Sequence, residues 1–250
     1  MLFGLNLIWA NIIFEPSFAP QEELRNGRPS PHQVQGGLFT PEEEPQNGKP
    51  EEELLNNIII LDVPFTPQAP LAEWSDPRQQ DGCEEAAVLI AMKWVKGETI
   101  ASGAQAKEEI IAMSSWQLKN YGEYRDTSAA DTVERLIKEY YQYDGVQVKN
   151  DITIEDIIKE LEAGNLVITP MNGQILDNPY YTPPGPERHM LVVRGYDYAT
   201  KEFITNDPGT KRGELYRYNE KVLYNAIRDY KTGYHVAIDV VNKNMIVIKK

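Results

Sequence analysis

The chain has 250 residues, with 25 Lys and Arg against 38 Asp and Glu, a net charge of −13 and a single Cys. Binding along a phosphate backbone depends on clustered Lys and Arg, so this acidic chain places nucleic acid last among partners. One Cys and three His exclude an intrachain disulfide and the thiolate-rich zinc sites, while 41% hydrophobic residues are enough for a buried core.

Leu2 to Phe14 (LFGLNLIWANIIF) is an apolar run. It is shorter than the roughly 20 residues of a spanning helix but fits the core of a signal peptide. Ser17 and Ala19 suit the small-residue positions before a cleavage site, although no Lys or Arg precedes the run and Pro20 follows. Residues 1–19 are therefore read as a hydrophobic signal or anchor, the alternative being a strand or helix packed on the domain. Between Glu15 and Asn57 fall nine Glu, three basic residues and seven of the 17 Pro. So few apolar residues cannot offset the entropy of ordering such a segment, and 20–57 reads as a disordered, acidic, Pro-rich linker. An apolar anchor, a spacer and a domain at 58–250 suggest a secreted or membrane-tethered extracytoplasmic protein, with the cytoplasm as the alternative.

Ile58 to Val63 reads as a β-branched strand closed by Pro64. After a Pro- and Gln-rich loop, Cys83 to Val95 (CEEAAVLIAMKWV) is too densely apolar for a surface helix and belongs in the core, with Gly97 as its stop. Helices follow at Lys107 to Asn120 and Ser128 to Tyr141, and Thr153 with Asp156 forms a capping box for Ile154 to Ala163, which Gly164 ends. Strands are expected at Leu166 to Thr169, His189 to Tyr196, Glu202 to Thr205, Tyr234 to Val241 and Met245 to Ile248. Helices first and strands afterwards is an α+β order.

Cys83 opens the buried helix, where unpaired N–H groups and the helix dipole favour a thiolate; Glu84 and Glu85 oppose this if they point at it. It reads equally as a small core residue. His189 opens the strand HMLVVRGYD, which turns near residue 199 into EFITNDPG. Reflection about that turn places His189 opposite residue 209 and brings Asn206-Asp207 within a residue or two of it. A carboxylate beside an imidazole fixes its tautomer and raises its basicity, the orienting role in a triad. A His capping a strand beside an Asp-Pro turn is the plainer alternative. His32 lies in the linker. His235 sits mid-strand with no Asp or Asn across a short turn and reads as structural.

The ordered blocks VPFTPQAPLAEW, DGCEEAAVLIAMKW and ERHMLVVRGYDYATKEFITNDPGT resemble the bacterial peptidase C39-like family, a branch of the papain-like cysteine peptidases. The resemblance runs from Ile58 through at least Asp229. It implies a papain-like α+β fold, with a central helix carrying the nucleophile on an antiparallel sheet that carries the base. It also implies a cysteine peptidase without cofactor, in which Cys83 is the nucleophile, His189 the base and then the acid, Asp207 the orienting third member and Gln68 an oxyanion donor. Two features depart from the pattern. Glu84-Glu85 stand where small residues are usual, and Gln68 lies 15 residues before the Cys, so that Gln79 or Gln80 competes for its role.

Relatives that process bacteriocin leaders cleave after Gly-Gly, and Gly36-Gly37 lies in the linker, although a flexible spacer is reason enough for two Gly. With no transporter or ATP-binding segment in the sequence, a stand-alone role on a peptide or protein substrate is expected. A transglutaminase-like amide transfer would use the same Cys, His and Asp, and a catalytically silent peptide-binding module would keep the same cleft. The loop Met171 to Arg188 is expected to build part of the cleft wall.

Overall fold

The computed structural model describes residues 57–250. The expected anchor and nearly all of the expected linker lie outside the described residues. Among those described, no helix is long and apolar enough to cross a membrane.

The chain enters through β1 (Ile58–Ile60) and a loop leading to the short helix α1 (Pro77–Gln80), capped by Asp76 with Pro at its first position. Helix α2 (Cys83–Lys96) follows, with Gly82 as N-cap and Gly97 in the left-handed conformation as C-cap. Helix α3 (Gly103–Tyr121) is capped by Ser102 and Gly122. Where a single α-helix is expected near Ser128–Tyr141, the turn α4 (Ala129–Asp131) passes directly into a π-helix (Thr132–Tyr140). Next come β2 (Val146–Lys149), α5 (Ile154–Glu162) with the expected Thr153/Asp156 capping box, and β3 (Leu166–Met171). A helical turn, α6 (Gly173–Leu176), lies within the loop before β4 (His189–Asp197), and then come β5 (Glu202–Asn206), β6 (Tyr216–Asn219), α7 (Glu220–Ala226) and β7 (Met245–Ile248).

The strands form one antiparallel seven-stranded sheet in the order β2-β7-β3-β4-β5-β6, with β1 joining β4 beyond the end of β3. Residue alternation divides the core into two layers. Met190 and Val192 of β4 pack with α2, α3 and the π-helix, while Leu191 and Val193 pack with Ile157 and Leu161 of α5 and Leu223 of α7. With both faces covered, β3, β4 and β7 are buried along their whole length. The core helix is as buried as its composition requires: Ala86, Ala87, Leu89 and Ile90 have no exposed surface.

The β4–β5 hairpin fixes the site's register. Tyr196 pairs with Phe203, a bulge intervenes between Val193 and Gly195, and Val192 pairs with Asn206. Gly195 is required by close approach, since a Cβ there would sit 2.3 Å from the Ile59 carbonyl oxygen of β1. Pairing ends there, and the turn that follows β5 brings Asp207 and Gly209 beside His189, at the end of the sheet that reflection about the hairpin turn indicates.

One expected strand is absent. Tyr234 to Val241 is turn and irregular backbone, with His235 in the left-handed region at φ 52° and its N–H bonded to Asp126 Oδ2 at 2.7 Å. Ile238 is half-buried, and Val240 at 64% and Val241 at 60% remain exposed instead of packing on a sheet face. Strands β2 and β6 and helices α1, α6 and α7 have no counterpart among the elements expected from the sequence, α1 and α6 falling where loops are expected.

Candidate active site

The N-terminus of α2, the first residue of β4 and the turn after β5 meet at a cleft of about 800 Å³, with Cys83, His189 and Gly209 in its walls. The expected loop contributes Tyr180 to Thr182 and Gly185 to Arg188 to the same walls.

His189 is almost completely buried, and its Nε2 lies 2.8 Å from Asp207 Oδ1. That contact occupies one ring nitrogen, and among the described residues Nδ1 makes no hydrogen bond. Asp207, directly after β5, is itself highly connected. Its Oδ1 also accepts the Gly209 N–H at 3.0 Å, and its Oδ2 accepts Tyr181 Oη at 2.5 Å, Tyr218 Oη at 2.6 Å and Asn178 Nδ2 at 3.3 Å. Burial alone would raise this carboxyl's pKa. The His189 charge and the hydrogen bonds from His189, Tyr181 and Tyr218 outweigh burial and hold it below the usual carboxylate value. The Tyr181 ring meets His189 edge-on, with centroids 5.5 Å apart. A Cβ on Gly209 would lie 2.9 Å from both His189 Cε1 and Tyr181 Cε1, so only Gly lets the turn close against the imidazole.

Cys83 occupies the first helical position of α2 with 6% exposure. Its Sγ makes one hydrogen bond, to Glu84 Oε2 at 3.2 Å, and among the described residues none to His189. Burial first, and then the charge and hydrogen bond of Glu84, push the thiol well above its ordinary value. The helix N-terminus does not dominate here, because burial outweighs it and the first of the two acids points at the sulfur as well.

Glu84 and Glu85 are both buried at the start of a core helix. Burial raises Glu84 to about 7, although hydrogen bonds from Tyr230 Oη at 2.6 Å and from Cys83 oppose it. Burial and then the neighbouring Glu84 charge put Glu85 well above its usual value, even with a hydrogen bond from Gln117 Nε2 at 2.8 Å.

Gln68 also lines the cleft, but not in the expected way. Its Nε2 donates to the backbone carbonyls of Gln79 at 3.0 Å and Gln80 at 2.8 Å, so both amide hydrogens are committed to holding the end of α1. The Gln79 amide is likewise committed, to Glu73. Gln80 lines the cleft, and among the described residues its side-chain amide makes no hydrogen bond, so of the three it is the Gln with hydrogens to offer. His235 lies in the cleft wall too, stacked on Tyr234 with centroids 4.1 Å apart, and among the described residues no carboxylate bonds to its ring. Among the described residues no group of three or more His, Cys, Asp or Glu is placed to hold a metal ion.

Sequence reasoning missed Asn178, Tyr181 and Tyr218 as partners of Asp207, and Tyr230 as partner of Glu84. The one signal for Asn178 and Tyr181 is the Asn-Pro-Tyr-Tyr run inside the loop leading to His189, and Tyr218 of β6 has none.

A family model described as the Peptidase_C39 like family matches residues 60–237, a span that contains the cleft and both strands of its hairpin. The chain belongs to the Peptidase_C39 like family. The α+β architecture of this C39-like domain, a core helix on an antiparallel sheet, is that of a papain-like fold. Among solved structures it is similar to that of a candidate C39-like peptidase from Bacillus anthracis, with 16% identity and a TM-score of 0.48, covering 77% of this chain and 98% of that one. No curated protein matches the sequence.

Proposed function

We propose that this C39-like domain is a cysteine peptidase in which Cys83 is the nucleophile, His189 the base and Asp207 the residue that orients it. The supporting observation is the His189–Asp207 contact at 2.8 Å, with Cys83 in the walls of the same cleft at a helix N-terminus. Because Asp207 takes Nε2, the proton of Cys83 passes to Nδ1. The thiolate attacks the substrate carbonyl carbon, and the C–N bond breaks as Nδ1–H protonates the departing amine. Water, deprotonated by Nδ1, then cleaves the thioester, releasing the acid and restoring the thiol. During both steps the charge on the carbonyl oxygen is met by the Cys83 N–H, which has no intrahelical acceptor at that position, and by the Gln80 amide.

Digestion of a proteome-derived peptide library, followed by mass spectrometry of new termini, tests the activity. Wild type should generate termini that Cys83→Ala does not; equal products from both would refute it. One observation favours a second reading, a silent peptide-binding module: the thiol is bonded to Glu84 instead of His189. The library distinguishes the two, since a binding module would retain peptides without cleaving them.

Residues 1–19 as signal or anchor, 20–57 as spacer and an extracytoplasmic location for the domain at 58–250 complete the proposal. Cell fractionation with sequencing of the mature N-terminus tests it, and soluble cytoplasmic protein with an intact N-terminus would refute it.

A further inference from the structure

Adjacent side chains on a helix do not ordinarily face one another. Glu84 nevertheless turns back onto the residue before it and takes the Cys83 S–H at 3.2 Å. Tyr230 holds it there, with its Oη 2.6 Å from Glu84 Oε1 and 3.2 Å from the carbonyl oxygen of His189. One hydroxyl from the segment after α7 therefore touches both the acid beside the nucleophile and the backbone of the base. The carboxylate is almost fully buried, and no cation bonds to it among the described residues. Its neighbours are Cys83 and Glu85 on its own helix, Asp126 from the segment after α3, and Tyr230; Asp126 has Arg188 Nε at 3.7 Å. A buried acid with those neighbours and no countercharge costs stability, so its position needs a reason beyond packing.

We propose that Glu84 is a positioning residue that holds the Cys83 sulfur, still protonated, out of hydrogen bonding with His189, so that the nucleophile is released only when the Sγ–H···Oε2 bond breaks. The inference rests on Cys83 being the nucleophile. It assigns Glu84 to the resting state, where its charge disfavours a thiolate beside it and its oxygen competes with His189 Nδ1 for the same proton. Protonation of Glu84 removes the charge and the better acceptor together. The resting domain is then least reactive when Glu84 is ionised.

With one Cys in the chain, iodoacetamide reports on this sulfur alone. Alkylation rate against pH is measured for wild type, Glu84→Gln, Tyr230→Phe and His189→Ala, with circular dichroism confirming that each folds. Glu84→Gln keeps the shape and removes the charge. Its midpoint should fall by about one pH unit, which is about tenfold faster alkylation near pH 7. Tyr230→Phe removes the hydrogen bond that favours the ionised acid and should move the midpoint in the same direction by less. A Glu84→Gln profile that superimposes on wild type or shifts to higher pH overturns the proposal. So does a higher midpoint in Tyr230→Phe, which also decides the matter should Glu84→Gln fail to fold. The His189→Ala profile reports separately on the nucleophile–base pair: if it matches wild type, that pairing fails, whatever Glu84→Gln shows.

Discussion

His189 Nε2 and Asp207 Oδ1 lie 2.8 Å apart, joined by a hairpin whose strands hold the two residues at the same end of the sheet. The carboxylate is immobilised from the far side by two tyrosines and an asparagine, so the imidazole meets a fixed partner. The predictions below follow from that fixed pair and from the acids beside Cys83.

Asp207→Asn keeps the size of the side chain but replaces one acceptor oxygen with a donor, facing four side-chain donors. Acylation by an electrophilic peptide probe should slow by about 10²–10⁴-fold, the scale seen when a triad carboxylate loses its charge. Melting temperature should fall as well, because a buried donor left unsatisfied costs about 1–3 kcal/mol. Unchanged acylation kinetics would show that Asp207 does not orient the base.

Gly209→Ala inserts a methyl group 2.9 Å from His189 Cε1 and Tyr181 Cε1. Either ring must shift, and overpacking of this kind costs about 1–3 kcal/mol. Probe acylation should drop more than thermal stability does. A variant with wild-type acylation would place the imidazole elsewhere in the working enzyme.

The two candidate glutamines should separate. Gln80→Ala removes an uncommitted amide and should slow acylation by about 10–10³-fold with little change in melting, the scale of one lost oxyanion donor. Gln68→Ala removes the tie to the carbonyls of residues 79 and 80 and should lower the melting temperature. Reversed results, with Gln68→Ala folded but inert and Gln80→Ala wild type, would restore Gln68 to the oxyanion role.

Stability should decrease with rising pH in the neutral range. Glu84 and Glu85 are raised above their ordinary values by burial, so the folded state binds their protons more tightly than the unfolded chain does. That contribution is complete below about pH 4.5 and is lost as pH rises, through about 7 for Glu84, with Glu85 acting in the same direction because burial and the Glu84 charge raise it too. Asp207 acts oppositely: its lowered value adds stability that disappears only in acid, below its ordinary 3.8. Thermal melts from pH 5 to 8 should show a falling Tm, at most about 1.4 kcal/mol per pH unit for each titrating group, and Glu84→Gln should flatten the slope. A Tm that rises over this range would contradict the burial of ionisable acids on α2.

Much of this arrangement is legible in the sequence because local rules and long-range geometry agree there. The hairpin turn is short, so pairing reflects about it and brings His189 to Asp207 without further information. The start of α2 follows from Gly82, its density of apolar residues and Gly97. Other features depend on contacts that no local pattern encodes. Tyr234 to Val241 has strand composition, yet a left-handed His235, tied through its N–H to Asp126, breaks the extended run and the segment pairs with no strand among the described residues. Whether Glu84 points at solvent or at the thiol is decided by Tyr230, 146 residues away. The commitment of Gln68 depends on where the carbonyls of α1 fall, and Gln68 matches the motif whether or not its hydrogens are free.

The pairing of nucleophile and base is tested most directly by intact-mass measurement after reaction with an electrophilic peptide probe, across wild type, Cys83→Ala, His189→Ala and His235→Ala. The account predicts one probe adduct on wild type and on His235→Ala, and none on Cys83→Ala or His189→Ala while both remain folded. An adduct that persists in His189→Ala and is lost in His235→Ala would contradict it, and would make His235, across the same cleft, the base.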